Sequence, residues 1–243
     1  MILYTAIGIL AVLGVLAFIE FVLVPHVATL WRGEWVLVEN ASVGHISALT
    51  ISAHYFAIYV ERGYGSEARI VLYAYGDPHA CSVRYSVENG TLNVVAERRW
   101  SISSVFAGAR CRLVIEVPRT ALSYLSAGLS YSCLRIENVS ALRSSITASY
   151  SSIRLEEASR SVSIVASYSS MHASIHRIGR EPTTVSLSAS YSSIHLTFWG
   201  RARLVIGGSS YSRISNAGCT GGPSTIEVSA SYSSVSVSCI GRG

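Results

Sequence analysis

The sequence predicts an all-β protein, a β-solenoid built from coils of about 20 residues and preceded by one N-terminal transmembrane helix. Three observations predict it: a recurring phrase Ala-Ser-Tyr-Ser-Ser, alternation of apolar and polar residues around that phrase, and an uncharged apolar run at the start of the chain. We expect an anchor helix over 1–25, a β-rich N-terminal part of the solenoid or a cap over 31–120, and the repeat solenoid over 121–243.

The repeat is centred on tyrosines spaced 18 to 23 residues apart, namely Tyr131, Tyr150, Tyr168, Tyr191, Tyr211 and Tyr232. Three residues after each Tyr the chain is always apolar, at Leu134, Ile153, Met171, Ile194, Ile214 and Val235. Two residues further on, it is apolar at five of six positions, with Asn216 the exception. Apolar residues also alternate at period 2 before Tyr191 and Tyr232, over 185–189 and 226–230, so the odd gap across Ser-Tyr-Ser predicts a corner between two strands. Equivalent positions would then stack about 4.8 Å apart.

The corner tyrosines predict a ladder on one edge of the solenoid. One interpretation is structural, since stacked rings stabilise neighbouring coils by about 0.5–1.5 kcal/mol per pair. The other is a strip of rings and hydroxyls that binds glycans or surfaces.

A second, outward-facing column lies four residues after each Tyr. It consists of Arg135, Arg154, His172, His195, Ser215 and Ser236. It predicts either an anion-attracting stripe or an ordinary solvated face. A metal site needs three or four converging ligands, and the alignment places no Asp or Cys beside these histidines, so we expect no metal and no cofactor.

The apolar run from Ile2 to Ile19 carries no charge, and residues 2–24 together match the length of a helix that crosses a bilayer. A cleaved signal peptide and a buried helix are the alternatives. This run predicts a single-pass protein of the cell membrane with the solenoid on the extracytoplasmic side. The N-x-Ser/Thr sequons at Asn40, Asn89 and Asn138 favour that side, as N-glycosylation sites.

Residues 31–120 also read as strands. Residues 68–75 precede a Gly76-Asp77-Pro78 turn, Asn89-Gly90 reads as a hairpin turn, and residues 111–117 form a further apolar stretch.

The five cysteines contain no Cys-x-x-Cys spacing, which excludes zinc-ribbon and thioredoxin motifs. Cys219 and Cys239 lie one coil apart and are candidates for a disulfide; Cys81 and Cys111 can pair if their strands are neighbours. Cys133 occupies a position that is Ser in most repeats.

Composition excludes several function classes. All 19 basic residues are Arg, the net charge is +5, and Asp77 is the only aspartate. The arginines are dispersed, which argues against nucleic-acid binding. A single Asp leaves few ways to build a carboxylate pair or a triad, and no Gly-x-Ser-x-Gly motif occurs, so we expect no enzyme and no catalytic residues.

An apolar strand ending in Val117-Pro118, followed by alternating units around a small-residue corner, resembles the putative-adhesin family known as domain of unknown function 4097. The resemblance covers residues 67 to 240 and rests on rhythm, since Tyr150-Ser151-Ser152 stands where that family carries Ser-Gly-Asp. It implies a β-solenoid fold and an adhesin-like role.

We therefore expect a membrane-anchored, extracytoplasmic β-solenoid that acts as a non-enzymatic, adhesin-like cell-surface binding module. Its expected partners are the lipid bilayer, a glycan or other surface ligand, and a second copy of the chain. One alternative is an envelope scaffold or filament that polymerises through the solenoid end near residues 235–239. Another is a membrane-tethered envelope-stress regulator.

Overall fold

The computed structural model describes residues 34–99 and 109–241 of the chain. Within them the protein is all-β: 17 strands belong to one mixed sheet, with a 3-10 helix over Pro78–Ala80 and no α-helix in the described part. The strands are β1 (Trp35–Gly44), β2 (Ala48–His54), β3 (Ala57–Arg62), β4 (Ala68–Tyr75), β5 (Cys81–Glu88), β6 (Thr91–Arg98), β7 (Arg110–Val117), β8 (Leu122–Ser130), β9 (Cys133–Ser149), β10 (Ser152–Ser167), β11 (Ser170–Arg177), β12 (Thr184–Ser190), β13 (Ser193–Trp199), β14 (Ala202–Ser210), β15 (Arg213–Ala217), β16 (Ser224–Ser231) and β17 (Ser234–Cys239).

Most strands lie in two parallel stacks that meet at the tyrosine corners. The leading stack holds the strands before each corner, in the spatial order β2, β8, the end of β9, the end of β10, β12, β16 and β14. The trailing stack holds the strands after each corner, in the order β3, the start of β9, the start of β10, β11, β13, β17 and β15. We call one leading strand, its corner and its trailing strand a rung.

Alternation at period 2 directs one face of each rung into a common core. The column three residues after Tyr is buried at Leu134, Ile153, Met171, Ile194 and Val235, as the sequence predicts. The next column is buried at Ile136, Leu155, Ala173, Leu196 and Val237. Ile214 is only partly buried and Asn216 is exposed, because both lie on the last rung of the stack.

The rungs do not stack in the order in which the chain makes them. β17 lies between β13 and β15, so the rung of Tyr232 sits between those of Tyr191 and Tyr211. The rung at the end of the stack is therefore β14 and β15, and the expectation that residues 235–239 form the open edge is wrong. β14 has a bulge at Gly207, and it carries the polar Ser209 where β16 has Ala230. Both features disfavour a position between two strands, so β14 occupies the end, where only one neighbour covers it.

At the other end, the stack is extended by antiparallel pairs. β6 and β7 continue the stacks beyond β2 and β3, β5 pairs with β6 through the Asn89-Gly90 turn, and β4 and β1 add to β7. Asn89 and Gly90 both have positive φ, 50° and 73°, as a tight hairpin requires. The predicted strands and turns of this segment are thus present.

The predicted anchor helix over residues 2–24 lies outside the described residues. Across 34–99 and 109–241, no helix is long and apolar enough to cross a bilayer. The localisation predicted from the sequence, a single-pass membrane protein, is therefore corrected: the structure does not support it.

Candidate functional site

Each corner is made by a tyrosine in the left-handed region of the backbone. The six tyrosines of the repeat have φ between 49° and 51°, and Tyr55, with φ 55°, makes a seventh corner between β2 and β3. Sequence reasoning missed this rung, although Ile51, Ala53 and Ile58 occupy the same positions around Tyr55 as in the repeat. A left-handed conformation costs a residue other than glycine roughly 1–2 kcal/mol, so something must offset it at every rung.

Ring stacking provides that offset. The seven rings form a continuous ladder in the spatial order Tyr55, Tyr131, Tyr150, Tyr168, Tyr191, Tyr232 and Tyr211. Neighbouring centroids are 4.8 to 5.0 Å apart, with interplanar angles of 0° to 14°. Each inner ring therefore has both faces covered by its neighbours, and only edges and hydroxyls face solvent. A sugar cannot stack on the faces of the inner rings, which limits this ladder as a binding strip to its hydroxyl row.

A buried serine ladder runs directly behind the tyrosines. The hydroxyl of Ser169 donates to the carbonyl of Ser167 at 2.7 Å and accepts the backbone N–H of Ser151 at 3.2 Å. The same bond between rungs recurs along the stack at Ser132, Ser151, Ser192, Ser233 and Ser212. These contacts satisfy backbone groups at a corner where no strand ladder can, which explains the Ser that follows each Tyr of the repeat.

The predicted basic column forms one line on the outer face of the trailing stack. Arg135 aligns with Arg154, Arg154 with His172, and His172 with His195, whose ring centroids are 5.9 Å apart. Beyond His195 the column continues as Ser236 and then Ser215.

Carboxylates flank this column over only part of its length. Glu137 and Glu156 lie two residues beyond Arg135 and Arg154, and Arg135 donates from Nε to Glu137 at 2.6 Å. On the next two rungs the corresponding positions are Ser174 and Thr197. The positive charge of Arg135 is therefore neutralised locally, whereas His172 and His195 face hydroxyls.

A groove of 350 Å³ runs along the stack between these two columns. Arg154, His172 and His195 line one side, and Glu156, Ser174 and Thr197 line the other. The groove crosses three rungs, so it offers similar side chains at regular intervals of about 4.8 Å.

The groove leads to an aromatic and cationic cleft at the far end of the same strands. Trp199 stacks on His176 at 5.3 Å and donates from Nε1 to the hydroxyl of Ser174 at 2.9 Å. Arg177 and Arg180 line the adjoining cleft of 620 Å³. Sequence reasoning did not single out Trp199; its place two residues after Thr197 on an outward-facing strand position was the available signal. We call Arg154, His172, His195, His176 and Trp199 the basic face.

One carboxyl lies inside the core. Glu157 is only 1% exposed and occupies the column that holds Val139 and Ile175 on the adjacent rungs. Ser144, buried opposite it, donates to Glu157 Oε2 at 2.9 Å, and Oε1 has no hydrogen-bond partner. Burial raises the pKa of Glu157 from its ordinary value of 4.5 to about 7, and the bond from Ser144 opposes that shift.

The structure also places the cysteines and sequons. Cys81 is disulfide-bonded to Cys111 and Cys219 to Cys239, with Cα–Cα distances of 5.6 and 5.0 Å, while Cys133 is an exposed free thiol. Asn40, Asn89 and Asn138 are all exposed. Within the described ranges, no group of three or more His, Cys, Asp or Glu residues is arranged to hold a metal ion.

No protein-family model matches the chain, and no curated protein matches it. Solved structures with a similar backbone include a putative cell adhesion protein from Clostridium sporogenes, at 7% identity and a TM-score of 0.42, covering 86% of this chain and 100% of that one. A putative adhesin from Parabacteroides distasonis has 10% identity and a TM-score of 0.41, covering 86% of this chain and 98% of that one. A putative lipid binding protein from Parabacteroides distasonis has 11% identity and a TM-score of 0.39, covering 87% of this chain and 96% of that one.

The sequence resembles a putative-adhesin family, but no family model confirms membership of that family.

Proposed function

We propose that the chain is a β-solenoid that acts as a non-enzymatic, adhesin-like binding module, with the basic face as its binding surface. The observation that carries this proposal is the alignment of Arg154, His172 and His195 on adjacent rungs along one side of a groove. The parallel register of both stacks supports the solenoid, since equivalent positions of neighbouring rungs lie side by side apart from the register shifts beside Glu157 and at Gly207.

The chemistry of the groove favours a glycan that carries negative charge. The Arg154 guanidinium and the two imidazoles on one side can bind carboxylates or sulfates. On the other side, the hydroxyls of Ser174 and Thr197 and the carboxylate of Glu156 can form hydrogen bonds with sugar hydroxyls. Trp199 adds a partly exposed ring at the end of the groove. An extended polysaccharide lying along the stack would place successive sugars on successive rungs.

Binding by repetition suits this surface better than binding in a deep pocket. The groove is shallow and open to solvent, so each contact contributes little by itself. A polymer that engages several rungs gains from effective concentration, because each further contact is intramolecular once the first has formed.

A glycan array probed with the full chain tests the proposal. We expect binding to glycans that carry carboxylate or sulfate groups, and a loss of about tenfold or more in affinity, equivalent to about 1.4 kcal/mol, in the triple variant Arg154→Ser, His172→Ser, His195→Ser. All three side chains are exposed, so this variant should fold.

The matched control is Arg84→Ser, His45→Ser, His79→Ser, which removes the same three side-chain types from exposed positions elsewhere. It should bind within about twofold of the wild-type chain, because a twofold change is only about 0.4 kcal/mol. Equal losses in both variants would mean that net charge, and not the basic face, is responsible. Absence of any bound glycan would contradict the proposal.

A further inference from the structure

The two ends of the stack differ in how well they are covered. At one end, β14 pairs only with β16 and β15 only with β17. Among the described residues, the contacts to their outer edges are a bridge between Arg203 and Thr220 and a bond from the Gly221 N–H to the Ala202 carbonyl, both at the start of β14. Edges of this kind present a row of free backbone N–H and C=O groups to any strand that can reach them. We call β14 and β15 the open end.

The open end also leaves apolar side chains uncovered. Ile206 pairs with Val228 of the core column yet is 54% exposed. Tyr211 is 83% exposed, whereas the inner tyrosines of the repeat are close to 50%. Leu204 and Ile214 are only partly buried. A further rung laid on this end would bury these four side chains, and removal of apolar surface from water favours association.

At the opposite end of the stack, β1 is an edge strand that can pair with the open end of another copy. β1 pairs only with β4 among the described strands, and Trp35, Val36, Leu37 and Val38 are 47%, 50%, 52% and 42% exposed. β1 is antiparallel to β4, which is antiparallel to β7, so β1 runs in the same direction as the trailing stack. A copy placed beyond β15 would continue that stack with a parallel strand.

Charge favours contact between unlike ends, with β1 of one copy beyond β15 of another, over contact between two open ends. The open end carries Arg203 and Arg213 and no acidic residue on either strand, and Arg201 directly precedes β14. β1 and β5 carry Glu39 and Glu88 against Arg84, and Glu34 directly precedes β1. Opposite charges therefore meet when unlike ends join, whereas two open ends would bring like charges together.

We infer that copies of this chain associate head to tail, with β15 and β14 of one copy against β1 and β5 of the next. Because the two contacting surfaces differ, the contact is heterologous, and each added copy exposes a new open end. The assembly therefore grows beyond a dimer.

The test uses sedimentation velocity of the full chain over a range of concentrations. The mean mass of the wild-type chain should rise past that of a dimer. Ile206→Lys at the open end and Val36→Lys on β1 should each abolish assembly, because each places a charge in the contact. Val165→Lys, at a 44% exposed position in the middle of the stack, is the control and should assemble as the wild type does.

Mixing the two end variants separates the possible geometries. Each variant keeps one intact end, so an equimolar mixture of Ile206→Lys and Val36→Lys should form dimers that grow no further. A wild-type chain that stays monomeric, or that stops at a dimer, would overturn the inference, as would a mixture of the two variants that stays monomeric. Since all three substitutions lie away from the basic face, glycan binding reports on the proposed function separately.

Discussion

Glu157 is a carboxyl buried in the apolar core. Its carboxyl stands in an apolar column with one hydrogen bond, from Ser144, and with Oε1 unpartnered. A buried carboxylate is costly, and the raised pKa means that the folded protein prefers the neutral acid.

The raised pKa of Glu157 makes the free energy of unfolding depend on pH. Because the pKa of Glu157 is raised from 4.5 to about 7 on folding, its contribution is fully present below pH 4.5 and is lost as pH rises to about 7. The loss amounts to about 3 kcal/mol. Denaturant unfolding of the full chain at pH 4.5 and pH 8 measures it.

The variant Glu157→Gln should lack this part of the pH dependence, so the difference between wild type and variant isolates the group. Replacing Glu157 and Ser144 by Val, the residue found on neighbouring rungs at Val139 and Val162, should stabilise the protein at pH 8. An identical pH dependence in wild type and Glu157→Gln would refute this assignment.

The serine ladder provides hydrogen bonds that stabilise the corners between neighbouring rungs. Ser169→Ala removes the acceptor for the buried N–H of Ser151 and should cost about 1–3 kcal/mol in the free energy of unfolding. Ser170→Ala, one residue on and exposed, should change stability by no more than about 0.5 kcal/mol. Chemical unfolding of both variants compares them, and equal effects would show that the ladder bonds contribute nothing.

At the scale of the strands, the corner tyrosines combine a strained backbone with stacking. Tyr168→Ala keeps the left-handed φ and loses two stacking contacts, a cost of about 1–3 kcal/mol, whereas Tyr211→Ala loses one. Thermal melting should therefore show the larger drop for Tyr168→Ala. Tyr168→Gly should be milder than Tyr168→Ala, because glycine adopts φ near 50° without strain.

Tyr168→Phe retains the ring and is the control; it should melt close to the wild-type temperature. A Tyr168→Ala variant as stable as the wild type would rule out the structural role of the ladder.

Strand positions and corners could be predicted from the sequence because they depend on local alternation and on one repeated phrase. The inward columns at Ile153 and Leu155 follow directly from period 2. The order of the rungs could not be predicted, because repeats of the same pattern can pair with several neighbours. The rung of Tyr211, and not that of Tyr232, takes the end of the stack because it has a bulge at Gly207 and polar residues at Ser209 and Asn216. These features do not alter the strand pattern, so they decide only which of the two rungs lies outermost.

The candidate site was predictable in part for a related reason. The basic column follows from counting four residues past each Tyr, which finds Arg154, His172 and His195. Trp199 and His176 lie further along the strands, where spacing alone does not show that their rings meet. Glu157 lies two residues after Leu155, so alternation along β10 assigns it to the core, but the sequence columns were not followed that far past the tyrosine. The register shift beside it lies on β9, where the extra residue Asn138 turns Val139 inward.

At the scale of the whole molecule, the described rungs provide three distinct surfaces. The tyrosine and serine ladders hold the corners, the outer face of the trailing stack presents the basic face, and the two ends carry complementary charge. A head-to-tail array would align the grooves of successive copies and multiply the contacts open to one polymer.

The most direct test of the account is a histidine footprint. The full chain is modified with diethyl pyrocarbonate with and without polygalacturonate, a carboxylate-bearing polysaccharide, and with dextran as a neutral control, and each site is quantified by mass spectrometry. The basic face contains His172, His195 and the partly buried His176, while the exposed His45, His54 and His79 lie elsewhere. We predict that polygalacturonate slows modification of His172 and His195 and leaves His45, His54 and His79 unchanged, and that dextran has no effect. Protection of His54, which contacts the ladder at Tyr55 and Tyr131, or equal rates at every site, would contradict the basic face as the binding surface.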